Sequence, residues 1–348
     1  MSLFSAPDIG IDLGTSNTRI YVKKKGIVLD EPTYLVVDKT GKHQIRAIGE
    51  EARLMMGRTG DEVTAVRPVQ EGTIRDFEMT QYLLQYFIKK AVGVSHLLKP
   101  RAMITIPCHI SPIDRRVVRQ AAFRAGVRQS QLHLVEKPFA AAHGCGLEVF
   151  DPIGNLVVDI GGGMTEVAVI SLGSIVVSRS IRIGGMKMND AIIAYIKREF
   201  NMLIGDRTAE DVKIDLGSAL PLKNERKVLV RGRDMITNLP QTAEISSAKI
   251  YEALHPSCEA ILAAIQYVLE RTPPELAGDV LRGGIHMTGG GSLLFGLDQY
   301  IATELGIPVL LAKEPMSCTI LGIGDLTESS DKLPRISRSA ALREDTEE

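Results

Sequence analysis

The stretch LVVDIGGGMTEVAV, residues 156–169, is an apolar strand ending on Asp159, a turn of three glycines, and a second apolar strand opening at Thr165. A second copy stands about half the chain earlier: IGIDLGTSNTRIYV, residues 9–22. Aligned, Asp12 matches Asp159, Gly14 matches Gly161 and Thr18 matches Thr165, while Ile20 and Val22 match Val167 and Val169. Apolar alternation on both sides of a glycine turn predicts a β-hairpin in each copy. A motif repeated at that distance predicts two similar α/β domains facing each other. A chain of 348 residues is also too long for one compact core.

The chemistry of the pair follows from its residues. Glycines let backbone N–H groups approach phosphate oxygens closely. Gly14, Thr15, Ser16 and Asn17 in the first turn, and Gly161, Gly162 and Gly163 in the second, read as a grip on a polyphosphate from two sides. Asp12 and Asp159, at the strand ends, would face Mg²⁺ on that polyphosphate, directly or through water. A third cluster, IHMTGGGSLLFGL at residues 285–297, runs from a strand through Gly289, Gly290, Gly291 and Ser292 towards an apolar-periodic helix. A helix N-terminus there would suit a nucleotide. One glycine turn alone is as well explained by an ordinary hairpin. Three in this order, two with matched acids, favour phosphate.

Bulk properties exclude several function classes. Net charge is −1 with 24% charged residues, so electrostatic nucleic-acid binding is not expected. Cys108, Cys145, Cys258 and Cys318 are widely spaced and form no CxxC pair, which predicts reduced thiols in a cytosolic protein and no zinc site. MSLFSAP at the start lacks the features of a signal peptide, and no run of about 18 apolar residues predicts a membrane span. The charged stretch 334–348 is expected to be disordered.

These segments, in this order, resemble the superfamily of actin, the heat-shock chaperones and the sugar kinases. Within it the chain is most similar to the MreB family of bacterial actin-like cell-shape filaments. The likeness runs over nearly all of residues 8–333 and includes GIVLDEPTYLVVD (26–38), AVRPVQEGTIRDFEMT (65–80), IGDRTAEDVKIDLGSALP (204–221) and LERTPPELAGDV (269–280). It implies an actin-like ATPase fold: two RNase H-like α/β domains, each with a smaller inserted subdomain, and an ATP cleft between them. Domain I would comprise residues 1–144 plus 315–333, with an insertion over about 33–77. Domain II would comprise 145–314, with an insertion over about 182–245. By position, Glu210, Asp211, Val212 and Lys213 match the family's ribose and adenine contacts, and Gly289 to Ser292 its adenine-side loop. Glu210 and Lys213, three apart, share a helix face, and an ordinary surface ion pair is the plain alternative.

Three positions depart from the family. Relatives usually read DIGGGTTE where this chain has Met164 before Thr165. The first threonine is credited with positioning the attacking water, and methionine makes no strong hydrogen bond. LVEKPFAAAHG, residues 134–144, matches a segment usually reading EEPMAAA, so Lys137 stands where the water-orienting glutamate belongs. Lysine has no acceptor for a water proton. Glu136 is expected to point to the opposite face of an extended segment. Met186 replaces a further polar residue. The expectation is a membrane-associated filament protein that binds ATP and Mg²⁺ but hydrolyses ATP weakly, forming a homopolymer or one with paralogs.

Leu97 and Leu98, in a predicted surface connection among His96, Lys99 and Arg101, fit either leucines that pack back on the domain, which the residues alone favour, or an apolar tip in lipid with bases at the headgroups. The resemblance implies the latter, and adds the inner face of the cell membrane and a membrane-bound cell-wall elongation complex as partners in rod shape. Two other readings are a small-molecule kinase of the superfamily, against which Lys137 and Met164 count, and a conventional MreB with normal ATPase activity.

Overall fold

The computed structural model describes residues 7–39, 44–56, 62–93 and 99–329. Two five-stranded sheets carry the chain. In the first, the strand order is Leu132–Glu136, Arg101–Ile106, Asp8–Leu13, Asn17–Val22, Gly26–Pro32. In the second it is Val309–Leu311, Ile285–Thr288, Asn155–Ile160, Thr165–Ser171, Ser174–Ile181. Each repeated motif forms the expected antiparallel hairpin, and its first strand pairs in parallel with an outer neighbour. The repeated sequence is therefore a repeated sheet. Asp12 pairs with Arg19 in the first hairpin, and Asp159 with Glu166 at the same place in the second.

Smaller elements are added to each sheet. A three-stranded sheet of Ile45–Ile48, Leu35–Asp38 and Val63–Val66, with the short helix Glu50–Met55, follows the first hairpin. The tight hairpin Val69–Gln70 and Thr73–Ile74 comes next. Met202–Leu203, Lys227–Asp234 and Pro240–Ser246 make the corresponding sheet in the second half, alongside helices Gly185–Phe200 and Asp206–Leu216.

Patterning explains which faces are buried. Phe77–Val92 starts where the Asp76 side chain accepts from the Met79 N–H, 3.0 Å away. It buries Leu83, Leu84, Phe87 and Ile88 in the core of the first half. Strand Thr165–Ser171 is buried along its whole length, as a strand covered on both faces must be.

Two helices join the halves. Lys137–Gly144 leads out of the first sheet, and Cys318–Glu328 returns to pack on its hairpin. Their interior, Phe139, Ala140, Ala141, Ile320 and Ile323, forms one core with Val157, Ala168 and Ile170 of the second sheet. Gly144 and Gly322 let the helices cross backbone to backbone. A Cβ at Gly322 would run into the Ala140 carbonyl and the Gly144 nitrogen, both main-chain atoms that cannot swing aside.

This crossing gives a test with a definite sign. An open helical position gains up to about 1 kcal/mol from Gly→Ala. Gly322→Ala is instead expected to lose about 1–3 kcal/mol through overpacking, measured by urea unfolding. A variant as stable as the parent, or more so, would show that the crossing is not close-packed.

Candidate functional site

The two glycine turns are built alike. Gly14 N–H donates to Asn17 O at 3.0 Å, and Gly161 N–H donates to Met164 O at 2.9 Å. One backbone bond thus closes each loop at the same step of the motif. The first is braced from behind, because Thr33 Oγ1 donates to Gly14 O at 2.8 Å and shares a 2.9 Å bond with Thr18 Oγ1. The second is tied to a helix start: Gly185 and Met186 N–H groups donate to the carbonyls of Gly161 and Gly162, at 3.0 and 2.8 Å.

The turns face each other and touch. The Ser16 side chain lies against Gly162 and that of Thr15 against Gly163, leaving no room for a Cβ at either glycine. Thr15 Oγ1 also accepts from the Gly72 N–H at 3.2 Å, so the tight hairpin near residue 72 closes one side. Asn17 turns away, its amide donating to Asp30 at 2.7 Å.

The third glycine cluster reaches the same place by a different element. Gly290–Leu293 is a single 3₁₀ turn, and the α-helix begins only at Leu297. The expected helix N-terminus at the glycines is therefore absent, because Gly296 in the left-handed region separates turn from helix. Gly289 has φ +81° and sits where a Cβ would strike Ile160 O and the Asp159 carboxylate, so a side chain is excluded twice over. Ser292 Oγ donates to Gly289 O at 2.6 Å and locks the turn.

Glu210 and Lys213 form a network rather than a surface pair. Lys213 Nζ donates to Glu210 Oε2 at 2.8 Å, Asn189 Oδ1 at 2.9 Å and Gly185 O at 3.0 Å. Asn189 donates to the same Glu210 oxygen at 2.7 Å. Val212 is buried beneath them, and Asp211 is exposed. Asn189 and Gly185 lie on the helix that holds the second glycine turn, so this network and that turn share a support.

Lys137 is the first residue of a helix, with Glu136 as its N-cap. The segment is a strand-to-helix junction rather than extended throughout, because Pro138 at the first turn has its φ preset for helix. Lys137 Nζ lies 3.1 Å from Asp12 Oδ1, which also accepts from Thr105 Oγ1 at 2.8 Å. Desolvation pulls the lysine's pKa down, but attraction from Asp12, Asp159 and Glu166 outweighs it and holds the value above that of ordinary lysine. Burial, with Asp12 adding to it, raises the Asp159 carboxyl against the opposing pull of Lys137.

The Met164 thioether packs against Gly72, whose other neighbour is the Pro107 ring. Thr165 is fully buried and its hydroxyl is spent on Ile183 O at 2.7 Å. Met164 has no oxygen, and Thr165 commits its hydroxyl proton to a carbonyl in a fully buried position. Leu97 and Leu98 lie outside the described residues.

Two features escaped the motif reading. Glu166 is buried beside the loop; its Oε1 accepts from Cys108 N–H at 2.8 Å and from Ser180 Oγ at 3.2 Å. Its Oε2 is buried with no hydrogen-bond partner among the described residues. An acid inside the apolar run TEVAV was the available signal. Arg67 bridges the cleft mouth, 2.6 Å from Asp206 Oδ2 and stacked over Tyr34 at 4.8 Å. Nothing local marks a contact between residues so far apart in sequence.

Two duplicated sheets, two facing glycine turns and a pair of connecting helices define an actin-like fold. A family model described as MreB/Mbl protein matches residues 6–335, and the chain belongs to that family. It is 47% identical over 331 residues to the cell shape-determining protein Mbl of Bacillus subtilis, covering 95% of this chain and 98% of that one. It is 43% identical over 328 residues to the cell shape-determining protein MreB of Escherichia coli, covering 93% and 94%. MreB 5 of Spiroplasma citri bound to AMPPNP superposes with a TM-score of 0.89 at 34% identity, covering 95% and 98%.

Glu166 gives the site a pH signature. Burial, opposed by the Cys108 N–H bond, raises its pKa from 4.5 to about 7. Between those values the folded chain keeps a proton that the unfolded chain has lost, so stability falls as pH rises through that window. Glu166→Gln keeps an acceptor for Cys108 and Ser180 and removes the charge. It is expected to be more stable than the parent at about pH 8, on the order of 1–3 kcal/mol, with the gap closing towards pH 4.5. Urea unfolding across pH checks this; a gap that does not change with pH would contradict it.

Proposed function

We propose that this chain is a cell-shape filament protein that binds ATP between its two halves, polymerises at the inner face of the cell membrane, and hydrolyses ATP slowly. The carrying observation is the pair of glycine turns closed by the same backbone bond and facing each other beside Asp12, Asp159 and Lys137. Exposed N–H groups of two such turns would hold the phosphates. The network of Glu210, Lys213 and Asn189 would take the ribose and adenine, with the Gly289–Ser292 turn on the adenine's other side. The two domains would be residues 1–144 with 315–333, and 145–314, a division supported by the two hinge helices.

Mg²⁺ would ride on the phosphates and face Asp12 and Asp159 through water. The donor set fits a directly bound ion poorly: Asp12 Oδ1 is engaged by Thr105 and Lys137, and among the described residues no group of three His, Cys, Asp or Glu side chains could hold a metal.

Slow hydrolysis follows from the side chains around the γ-phosphate position. Lys137 only donates, Met164 presents a thioether, and the Thr165 hydroxyl is committed. Loss of a water-orienting group costs about 10²–10⁴-fold in rate. A second reading rests on Glu166, whose unpartnered Oε2 could accept the water proton and keep a conventional ATPase running. The membrane part rests on the sequence around Leu97 and Leu98 and on the family. No helix among the described residues is long and apolar enough to cross a membrane. Weak anchors of this kind gain strength through avidity along a polymer. The cell-wall elongation complex is the proposed partner on that membrane.

One experiment separates these parts: pelleting and phosphate release from the same sample with ATP, Mg²⁺ and liposomes. The parent is expected to pellet with ATP and release little phosphate. Lys137→Glu with Met164→Thr is expected to raise release by about tenfold or more. Leu97→Ser with Leu98→Ser should still polymerise but leave the liposomes. Steady release by the parent, lost in Glu166→Gln, would establish the second reading; no ATP-dependent pellet would contradict the filament.

A further inference from the structure

Two carboxylates facing a triphosphate repel it unless a cation stands among them. In this chain a cation is already built in. Lys137 Nζ lies 3.1 Å from Asp12 Oδ1, with a side chain only 18% exposed. The neighbouring negative charges it feels, after Asp12, are those of Asp159 and Glu166. Its backbone is fixed as the first residue of a hinge helix, with Pro138 behind it. The oxygen it holds also takes the Thr105 hydroxyl, so a metal approaching Asp12 there would have to displace two partners.

We propose that the Lys137 ammonium does the charge-neutralising work of a divalent metal, so that this chain binds ATP without requiring Mg²⁺. The inference rests on the nucleotide reading above and adds to it the metal independence and the residue responsible. A tethered ammonium carries one charge, needs no shell of oriented oxygens, and cannot be removed by a chelator. It balances Asp12 and would meet phosphate oxygens when ATP enters. A lysine that merely pinned the hinge to Asp12 would leave metal dependence intact.

The test is the dissociation constant of a fluorescent ATP analogue in Mg²⁺ and in excess EDTA, for the full chain and for Lys137→Met and Lys137→Arg. The parent and Lys137→Arg are expected to change by less than about threefold between buffers, and Lys137→Met to weaken by about tenfold or more in EDTA and recover in Mg²⁺. A parent that binds tightly in Mg²⁺ and weakens tenfold or more in EDTA overturns the inference and leaves the nucleotide reading standing. A parent that binds in neither buffer overturns both. Lys137→Met binding like the parent in EDTA also overturns it. Circular dichroism shows whether Lys137→Met has folded; if it has not, the parent's two buffers decide.

Discussion

Asp12, Asp159 and Glu166 bring three carboxyl groups into one buried space, and Lys137 is the cation that lets them share it. Uncompensated, such a cluster would cost several kcal/mol per charge or force protonation. Both responses are present. Lys137 takes Asp12 directly, while Asp159 and Glu166 have raised pKa values. Each carboxyl reaches this space because a hairpin strand ends beside a glycine turn, and the hairpin occurs twice. Asp12 and Asp159 are thus a consequence of the duplication, whereas Lys137 and Glu166, which stands where the first hairpin has Arg19, break its symmetry.

The same residue links charge to movement. Lys137 opens one of the two helices by which the chain passes between its halves, and that helix crosses the other at Gly144 and Gly322 with no side chain between. A close crossing pivots without repacking, which suits a hinge. At the opposite lip, Arg67 and Asp206 join the smaller elements of the two halves, and Arg182 reaches Glu71 of the tight hairpin at 3.4 Å.

Much of this was legible in the sequence, for a physical reason. Strand alternation, glycine turns and helical spacing are local signals, so both hairpins and the shared face of Glu210 and Lys213 could be read directly. The duplication then constrained the sheet order. What stayed hidden depends on tertiary approach. The sequence put Lys137 where a glutamate is usual, but did not show that Asp12 already holds it. Glu166 looked like one more residue in an apolar strand until the Cys108 N–H closed over it. The third glycine cluster was misread as a helix start because Gly296, not the triplet, precedes the helix. The partnership of Arg67 with Asp206 spans 139 residues and leaves no periodic trace.

A chain of a cell-shape family here places Lys137, the Met164 thioether and the buried Thr165 beside its facing glycine turns. On the function proposed above, assembly depends on bound triphosphate and not on its cleavage. The direct measurement is the identity of the nucleotide extracted from washed, pelleted polymer, resolved by ion-exchange chromatography. The account predicts ATP at close to one per subunit, unchanged as the polymer ages. Polymer that fills with ADP over time would contradict it and return Glu166 to the centre of the chemistry.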